Sequence, residues 1–216
     1  MKKKEQAQEP QVKIEEVSHE TESIEEHANV LFKPNEGPQT DFLAASEREV
    51  LYGGSAGGGK SYAMLADPLR YMGHPSFSGL LLRHTTEELR ELIFKSQELY
   101  PKIWKGIKWS ERKMQWTAPS GARLWMSYLD RDEDVLRYQG LAFSWIGFDE
   151  LTQWATPYAW NYMRSRLRST APDLPIFMRA TTNPGGRGHA WVKKMFIDPS
   201  AYGKAFDATN IETGEV

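Results

Sequence analysis

Apolar and polar positions follow two different periods along this chain, and the switches between them mark its elements. Short apolar runs at 49–53, 79–84, 143–148 and 176–181 read as strands, with Leu80, Leu81 and Leu82 consecutive in the second. Unbroken apolar runs of that length suit strands buried on both faces. Helical spacing fills the segments between. One helix is predicted over 60–71. A second, 85–99, opens with Thr85 followed by Glu88, a capping box in which hydroxyl and carboxylate satisfy free backbone N–H groups reciprocally. A third runs from Thr156-Pro157 to about residue 168, a hydroxyl cap followed by proline in the first turn, where no N–H is needed. Residues 114–117 and 122–129 flank Pro119-Ser120-Gly121, a hairpin signal. Strands alternating with helices predict an α/β fold, with a mainly parallel central sheet, helices on both faces and an inserted β-hairpin.

The first 30 residues break this pattern. They hold four Lys, eight Glu and no aromatic residue. Such a segment buries too little apolar surface to offset its ordering entropy, so 1–30 is expected to be a disordered or loosely helical tail, with a short helix over 24–31. The domain proper is then 31–216. The whole chain of 216 residues carries a net charge of −2, so nucleic-acid binding must rest on local patches rather than on overall charge. It has no cysteine, which excludes a disulfide scaffold, a thiol nucleophile and a Cys-based zinc site. No run of roughly 18 apolar residues suggests a membrane span, and no apolar stretch follows the N-terminal lysines as in a secretory signal.

The strongest chemical signal is Gly54-Ser55-Ala56-Gly57-Gly58-Gly59-Lys60-Ser61. It fits G-x-x-x-x-G-K-[ST] and sits between a predicted strand and a predicted helix, the context in which such a loop cradles phosphates. Glycines let backbone N–H groups turn inward on an anion, and the helix N-terminus adds a favourable dipole. In this loop Lys60 reaches the β- and γ-phosphates of ATP, and Ser61 ligates Mg2+. The strand at 143–148 ends in Asp149-Glu150. An Asp at that place holds Mg2+, and an adjacent Glu serves as general base toward water. The strand at 176–181 runs into Thr182-Asn183-Pro184-Gly185-Gly186. Strand ends on this side of the sheet face the nucleotide, so Thr182 or Asn183 is expected to sense the γ-phosphate or its water.

Loop, acidic pair and Thr-Thr-Asn, in this order and spacing, resemble the ATPase domain of the large terminase subunit of tailed bacteriophages. So do Gly37-Pro38-Gln39-Thr40-Asp41-Phe42-Leu43, Arg137-Tyr138-Gln139-Gly140 and Ser165-Arg166-Leu167-Arg168. The resemblance covers about residues 31–200. It implies a P-loop NTPase core of the RecA/ASCE type, with Gln39 contacting the adenine base. It also implies ATP hydrolysis that drives double-stranded DNA into a procapsid. The partners would be the portal protein, the small terminase subunit and further copies of the chain in a ring, in the host-cell cytoplasm. Some members carry an arginine inside the phosphate loop, near the place held here by Ser55-Ala56. A transition-state cation must then come from elsewhere, with Arg137 from a neighbouring subunit ranked first, Arg83 from the same subunit next, and Arg164, Arg166 and Arg168 behind. Members also carry a C-terminal nuclease domain, and with Val216 only about 30 residues past Thr-Thr-Asn no nuclease activity is expected of this chain.

Lys102, Lys105, Lys108, Arg112 and Lys113 interleave with Trp104, Trp109 and Trp116. Such a mixture can track a DNA backbone, but tryptophans anchoring a solvated loop explain it more simply. Arg187 and His189 are a weaker DNA candidate. The aromatics Trp154, Tyr158, Trp160 and Tyr162 are expected to pack, and Asp130, Asp132, Glu133 and Asp134 to form a solvated acidic loop. Another nucleic-acid-dependent P-loop ATPase, such as a ring helicase, is the competing functional class. A nucleotide-binding scaffold without turnover is opposed by Glu150.

Overall fold

The computed structural model describes residues 32–207, so the tail expected at 1–30 and the helix expected at 24–31 lie outside the described residues. Helix α1 (Pro38–Ala44) leads into β1 (Glu49–Tyr52). Helix α2 (Lys60–Ala66) follows the glycine-rich loop and tightens into a 3-10 turn over Asp67–Tyr71. The predicted single helix over 60–71 divides here because Pro68 has no N–H to donate and its ring crowds the preceding turn. Then come β2 (Ser78–Arg83), α3 (Thr86–Ile103), β3 (Lys108–Ser110), β4 (Gln115–Thr117) and β5 (Arg123–Tyr128). A 3-10 helix over Asp132–Tyr138 precedes β6 (Trp145–Phe148). Helix α4 (Tyr158–Arg164), β7 (Phe177–Thr181) and α5 (His189–Val192) complete the domain, α5 running on into a π-helical turn over Lys193–Ile197.

Thr85 and Glu88 form the predicted capping box at α3. The helix runs four residues beyond its predicted end, through Pro101, because its last turn is held from outside. The Tyr100 hydroxyl donates to Leu65 O at 2.9 Å, and Trp104 Nε1 donates to Leu69 O at 3.2 Å. Helix α4 stops four residues short of expectation. Leu167 forms a bridge with Phe143 instead, with Phe143 N–H donating to Arg166 O and Arg168 N–H to Phe143 O.

All seven strands form one sheet in the order β1-β7-β6-β2-β5-β4-β3. β1, β7, β6, β2 and β5 are mutually parallel, while β4 and β3 add antiparallel at one edge. The expected hairpin is present, with β4 and β5 paired antiparallel across its turn. The turn at Pro119-Ser120-Gly121 does join β4 to β5, but β5 is a core strand paired with β2 along six residues. Leu124 and Met126 explain the placement, since both are fully buried and lie in the core packed by α3. Only β3 and β4 are appended.

Alternation along the strands divides the interior into two cores. Leu81 and Trp145 face the core shared with α1, α2 and α3, whereas Leu80, Leu82, Ile146 and Phe148 face the core shared with α4 and α5. Helices therefore cover both faces. Each fully buried Leu contributes about 1.5–3 kcal/mol relative to exposure. The contact between α2 and β6 is tight at Gly147, where an added Cβ would lie 2.8 Å from Met64 Sδ and 2.3 Å from the Trp145 ring. The tryptophans of the basic stretch serve this packing. Trp116 is buried and donates to Ser96 Oγ at 3.0 Å, and Trp109 packs on it at 5.3 Å. Trp154 and Trp160 are buried likewise. No described helix is long and apolar enough to cross a membrane.

Candidate functional site

Because β1, β2, β6 and β7 are parallel, their C-terminal ends open on one edge of the sheet, and the segments that follow them converge there. Residues 53–59 after β1 form the glycine-rich loop. Gly54, Gly57 and Gly59 have φ of 137°, 86° and 72°, a region that side chains with a Cβ rarely adopt. The loop is held from two sides. The Tyr52 hydroxyl donates to Gly58 O at 2.6 Å, and Gln39 Nε2 donates to Gly59 O at 2.9 Å. The Gln39 side-chain oxygen accepts from Asn35 N–H at 2.6 Å, so the residue expected to read a base uses one end of its amide to brace the loop and the other to hold the segment before α1. Lys60 is buried, and its ammonium donates to Gly54 O at 3.1 Å and Ser55 O at 2.6 Å. Its charge is thus poised over the concavity on the loop's own carbonyls.

Asp149 is fully buried just beyond β6. Its Oδ2 lies 3.0 Å from Arg83 Nε, at the end of neighbouring β2, and 3.4 Å from Ser61 Oγ, which donates to it. Its Oδ1 accepts from the Thr181 hydroxyl. Ser61 and Asp149 offer the hard oxygen donors that Mg2+ prefers. The residues present therefore fit a magnesium–phosphate group, since a cation, a hydroxyl, a carboxylate and a glycine cradle face one another.

Glu150 adopts a left-handed conformation, φ 63° and ψ 55°, sparsely populated for a residue with a side chain. Its N–H donates to Thr181 Oγ1 at 3.1 Å. Its carboxylate accepts twice from Asn183, from Nδ2 at 2.7 Å and from the backbone N–H at 3.2 Å. Burial raises its pKa above the usual glutamate value, and the charge of Asp149 adds to that. Arg83, the Asn183 N–H and Lys60 oppose the shift. A carboxylate so placed is a better proton acceptor than one in water. Asn183 Oδ1 is buried without a hydrogen-bond partner among the described residues, a spare acceptor on the side chain that grips Glu150.

The other expected site residues are placed as follows. Thr182 is buried and donates to Thr152 Oγ1 at 2.9 Å, tying the segment after β7 to the segment after Glu150. Arg83 is the buried partner of Asp149 and not a free cation. Arg137 sits in the 3-10 helix over Asp132–Tyr138. It is half-exposed, donates to Tyr128 O at 2.6 Å, and lies over the Tyr128 ring and 3.7 Å from Asp134. The acidic loop is used locally. Asp134 Oδ2 accepts from the N–H groups of Asp130 and Arg131, and Asp132 Oδ2 accepts from the Thr156 hydroxyl. Arg187 and His189 are exposed, with His189 Nδ1 accepting from Gly185 N–H.

Sequence reasoning passed over Thr181, which touches both Asp149 and the N–H of Glu150. The signal was available. Period-2 alternation in two paired parallel strands puts the residue after Phe148 and the one after Ala180 on the same face. A cavity of about 220 Å3 lies beside the loop, between Gly53-Gly54 and Thr182-Asn183-Pro184, and Val192, Lys193 and Ile197 close it.

Comparison with known proteins bears on this arrangement. A family model described as phage terminase large subunit matches residues 46–214. The fold is similar to the large terminase of a thermophilic bacteriophage, with 19% identity, a TM-score of 0.57, and coverage of 77% of this chain and 43% of that one. It is similar to the HK97 bacteriophage large terminase, with 11% identity, a TM-score of 0.57, and coverage of 75% and 36%. The ATPase domain of the Thermus phage P74-26 large terminase matches with 14% identity, a TM-score of 0.54, and coverage of 82% and 74%. A structure of the thermophilic phage enzyme in complex with ADP is a further match at a TM-score of 0.54. No curated protein sequence matches. The chain thus covers less than half the length of the thermophilic phage and HK97 proteins.

Proposed function

The chain belongs to the phage terminase large subunit family, and on that premise we propose that it is a magnesium-dependent ATP hydrolase whose turnover drives double-stranded DNA into a procapsid. The observation that carries the reading is the meeting of Ser61, Asp149 and Glu150 at the mouth of the glycine-rich loop, with Ser61 and Asp149 3.4 Å apart. A ring helicase shares the loop, but membership of the packaging family sets that alternative aside.

When bound, Mg-ATP supplies the divalent charge and the γ-phosphoryl group to be transferred to water. The protein's part is positioning and electrostatics. The N–H groups of residues 54–61 receive the phosphates, and Lys60 exchanges the carbonyls of Gly54 and Ser55 for phosphate oxygens. Ser61 and Asp149 hold the metal. Glu150 takes the proton from the attacking water, and the side chain of Asn183 orients both. Thr182 acts through Thr152 to keep Asn183 in place. Gln39 sets the position of Gly59 and, with rearrangement of its amide, contacts the base. Arg83 is paired with Asp149 inside its own subunit, and the half-exposed Arg137 of a neighbouring subunit is ranked first as the cation for the transition state. The working assembly is a homo-oligomeric ring on the portal protein, served by the small terminase subunit in the host-cell cytoplasm.

The test is phosphate release and ADP binding measured side by side on the full chain. Glu150→Gln is expected to bind nucleotide within a few-fold of the parent while losing roughly 10²- to 10⁴-fold in turnover, the range for loss of a general base. Normal hydrolysis by Glu150→Gln would remove it from the role.

A further inference from the structure

Arg179 and Asp67 lie outside the catalytic cluster, and both are fully buried. Arg179 stands on β7 opposite Val50 of β1. Its Nη1 donates to Glu47 O at 2.8 Å and its Nη2 to Ala45 O at 2.9 Å. Those two carbonyls belong to the short link between α1, which carries Gln39, and β1, which leads into the glycine-rich loop. The guanidinium packs 4.2 Å from the Phe177 ring centroid, and its Nε lies 3.5 Å from Asp67 Oδ2. Asp67 is the residue at the C-terminal end of α2, with its N–H donating to Ala63 O. Its carboxylate also accepts from Trp145 Nε1 at 2.7 Å and pairs with Arg70. Arg70 in turn donates to Leu43 O, in α1, at 2.6 Å.

A buried charge pair is a poor device for stability, because desolvation offsets most of its attraction and apolar residues of the same volume do as well. Its distinctive property is direction. A planar guanidinium with two donors fixed in a fork holds two carbonyls in one geometry, which neither an apolar side chain nor lysine can do. Here the fork grips the link from α1 to β1, and the carboxylate behind it sits at the end of α2. The two elements that bracket the glycine-rich loop are thereby tied to one rigid point on β7, two residues before Thr181.

We infer that Arg179, backed by Asp67, is a positioning residue for nucleotide binding. It sets where α1 stands relative to the loop, and so where Gln39 holds Gly59. The inference rests on the ATPase reading above, and it concerns affinity rather than the chemical step, since neither residue touches Asp149 or Glu150.

Arg179→Lys keeps the buried charge opposite Asp67 and removes the fork. ADP affinity by calorimetry and steady-state ATP hydrolysis are measured on the full chain, with a melting curve for each variant. The expected result is ADP binding and KM for ATP each weakened on the order of tenfold, about 1.4 kcal/mol, with kcat within about twofold. If Arg179→Lys does not fold, Asp67→Asn combined with Arg179→Gln removes both charges together and is read the same way. ADP affinity and KM equal to the parent, whatever happens to the melting temperature, would overturn the inference and leave Arg179 a core brace. A loss confined to kcat would overturn it too. A parent chain that binds ADP but releases no phosphate contradicts the ATPase reading alone, and the ADP arm still decides the role of Arg179.

Discussion

Replacing Arg83 by methionine should destabilise the domain through Asp149, just beyond the neighbouring strand β6. The Arg83 and Asp149 side chains are 9% and 0% exposed, with Nε and Oδ2 3.0 Å apart. At an effective dielectric constant of about 20, that separation corresponds to an attraction of roughly 5–6 kcal/mol. Much of it only offsets the desolvation of the two ions. Removing one partner forfeits the attraction and leaves the desolvation, an imbalance that costs about 3–5 kcal/mol. Asp149 would keep only the hydroxyls of Thr181 and Ser61. For a domain of this size a loss of that order lowers the melting temperature by roughly 10 °C. Urea unfolding of Arg83→Met, Asp149→Asn and the double variant forms the appropriate cycle. The double variant should be more stable than the sum of the single effects by about 2 kcal/mol or more, because it leaves no orphaned charge. Additive effects, or an Arg83→Met variant as stable as the parent, would refute the ion-pair argument and return Arg83 to the list of free cations.

The remaining predictions concern Glu150 and Arg137. Burial raises the folded-state pKa of Glu150, so between the ordinary glutamate value and the raised one the folded chain binds more protons than the unfolded chain. Its contribution to stability therefore falls as pH rises through that window. Glu150→Gln should melt higher than the parent at neutral pH, and the gap should close below the ordinary carboxylate range; a gap that persists in acid contradicts the shift. Parent hydrolysis should likewise decline as pH drops through the raised value. For Arg137, mixing Arg137→Ala chains with Lys60→Ala chains should restore partial turnover, since some interfaces then join an intact loop to an intact arginine. Co-assembly without activity would exclude Arg137 as a cation supplied between subunits.

What the sequence determined by itself is local. The strand-loop-helix with its glycines and Lys60-Ser61, the capping box at Thr85 and the acidic pair at a strand end are all written within a few residues of one another. Near neighbours along the chain dictate backbone geometry directly, so these features were legible without partners. Helix ends were legible only in part. Pro68 cut one helix short by its own chemistry, but Tyr100 and Trp104 lengthened another through hydrogen bonds to Leu65 and Leu69, each 35 residues away.

Tertiary structure alone decided which residues meet at the site. No spacing announces that Arg83 of β2 pairs with Asp149 beyond β6, because that depends on β2 and β6 being adjacent in the sheet order. The same holds for the left-handed turn at Glu150, imposed by Thr181 and Asn183 from β7 and the loop behind it. It holds also for Arg179, which resembles any other charged residue until the carbonyls of Ala45 and Glu47 are seen at its fork. It holds, too, for the position of the hairpin strand β5 within the parallel core. Its turn chemistry is local, but its place beside β2 is set by burial of Leu124 and Met126, a collective outcome of packing rather than of sequence separation.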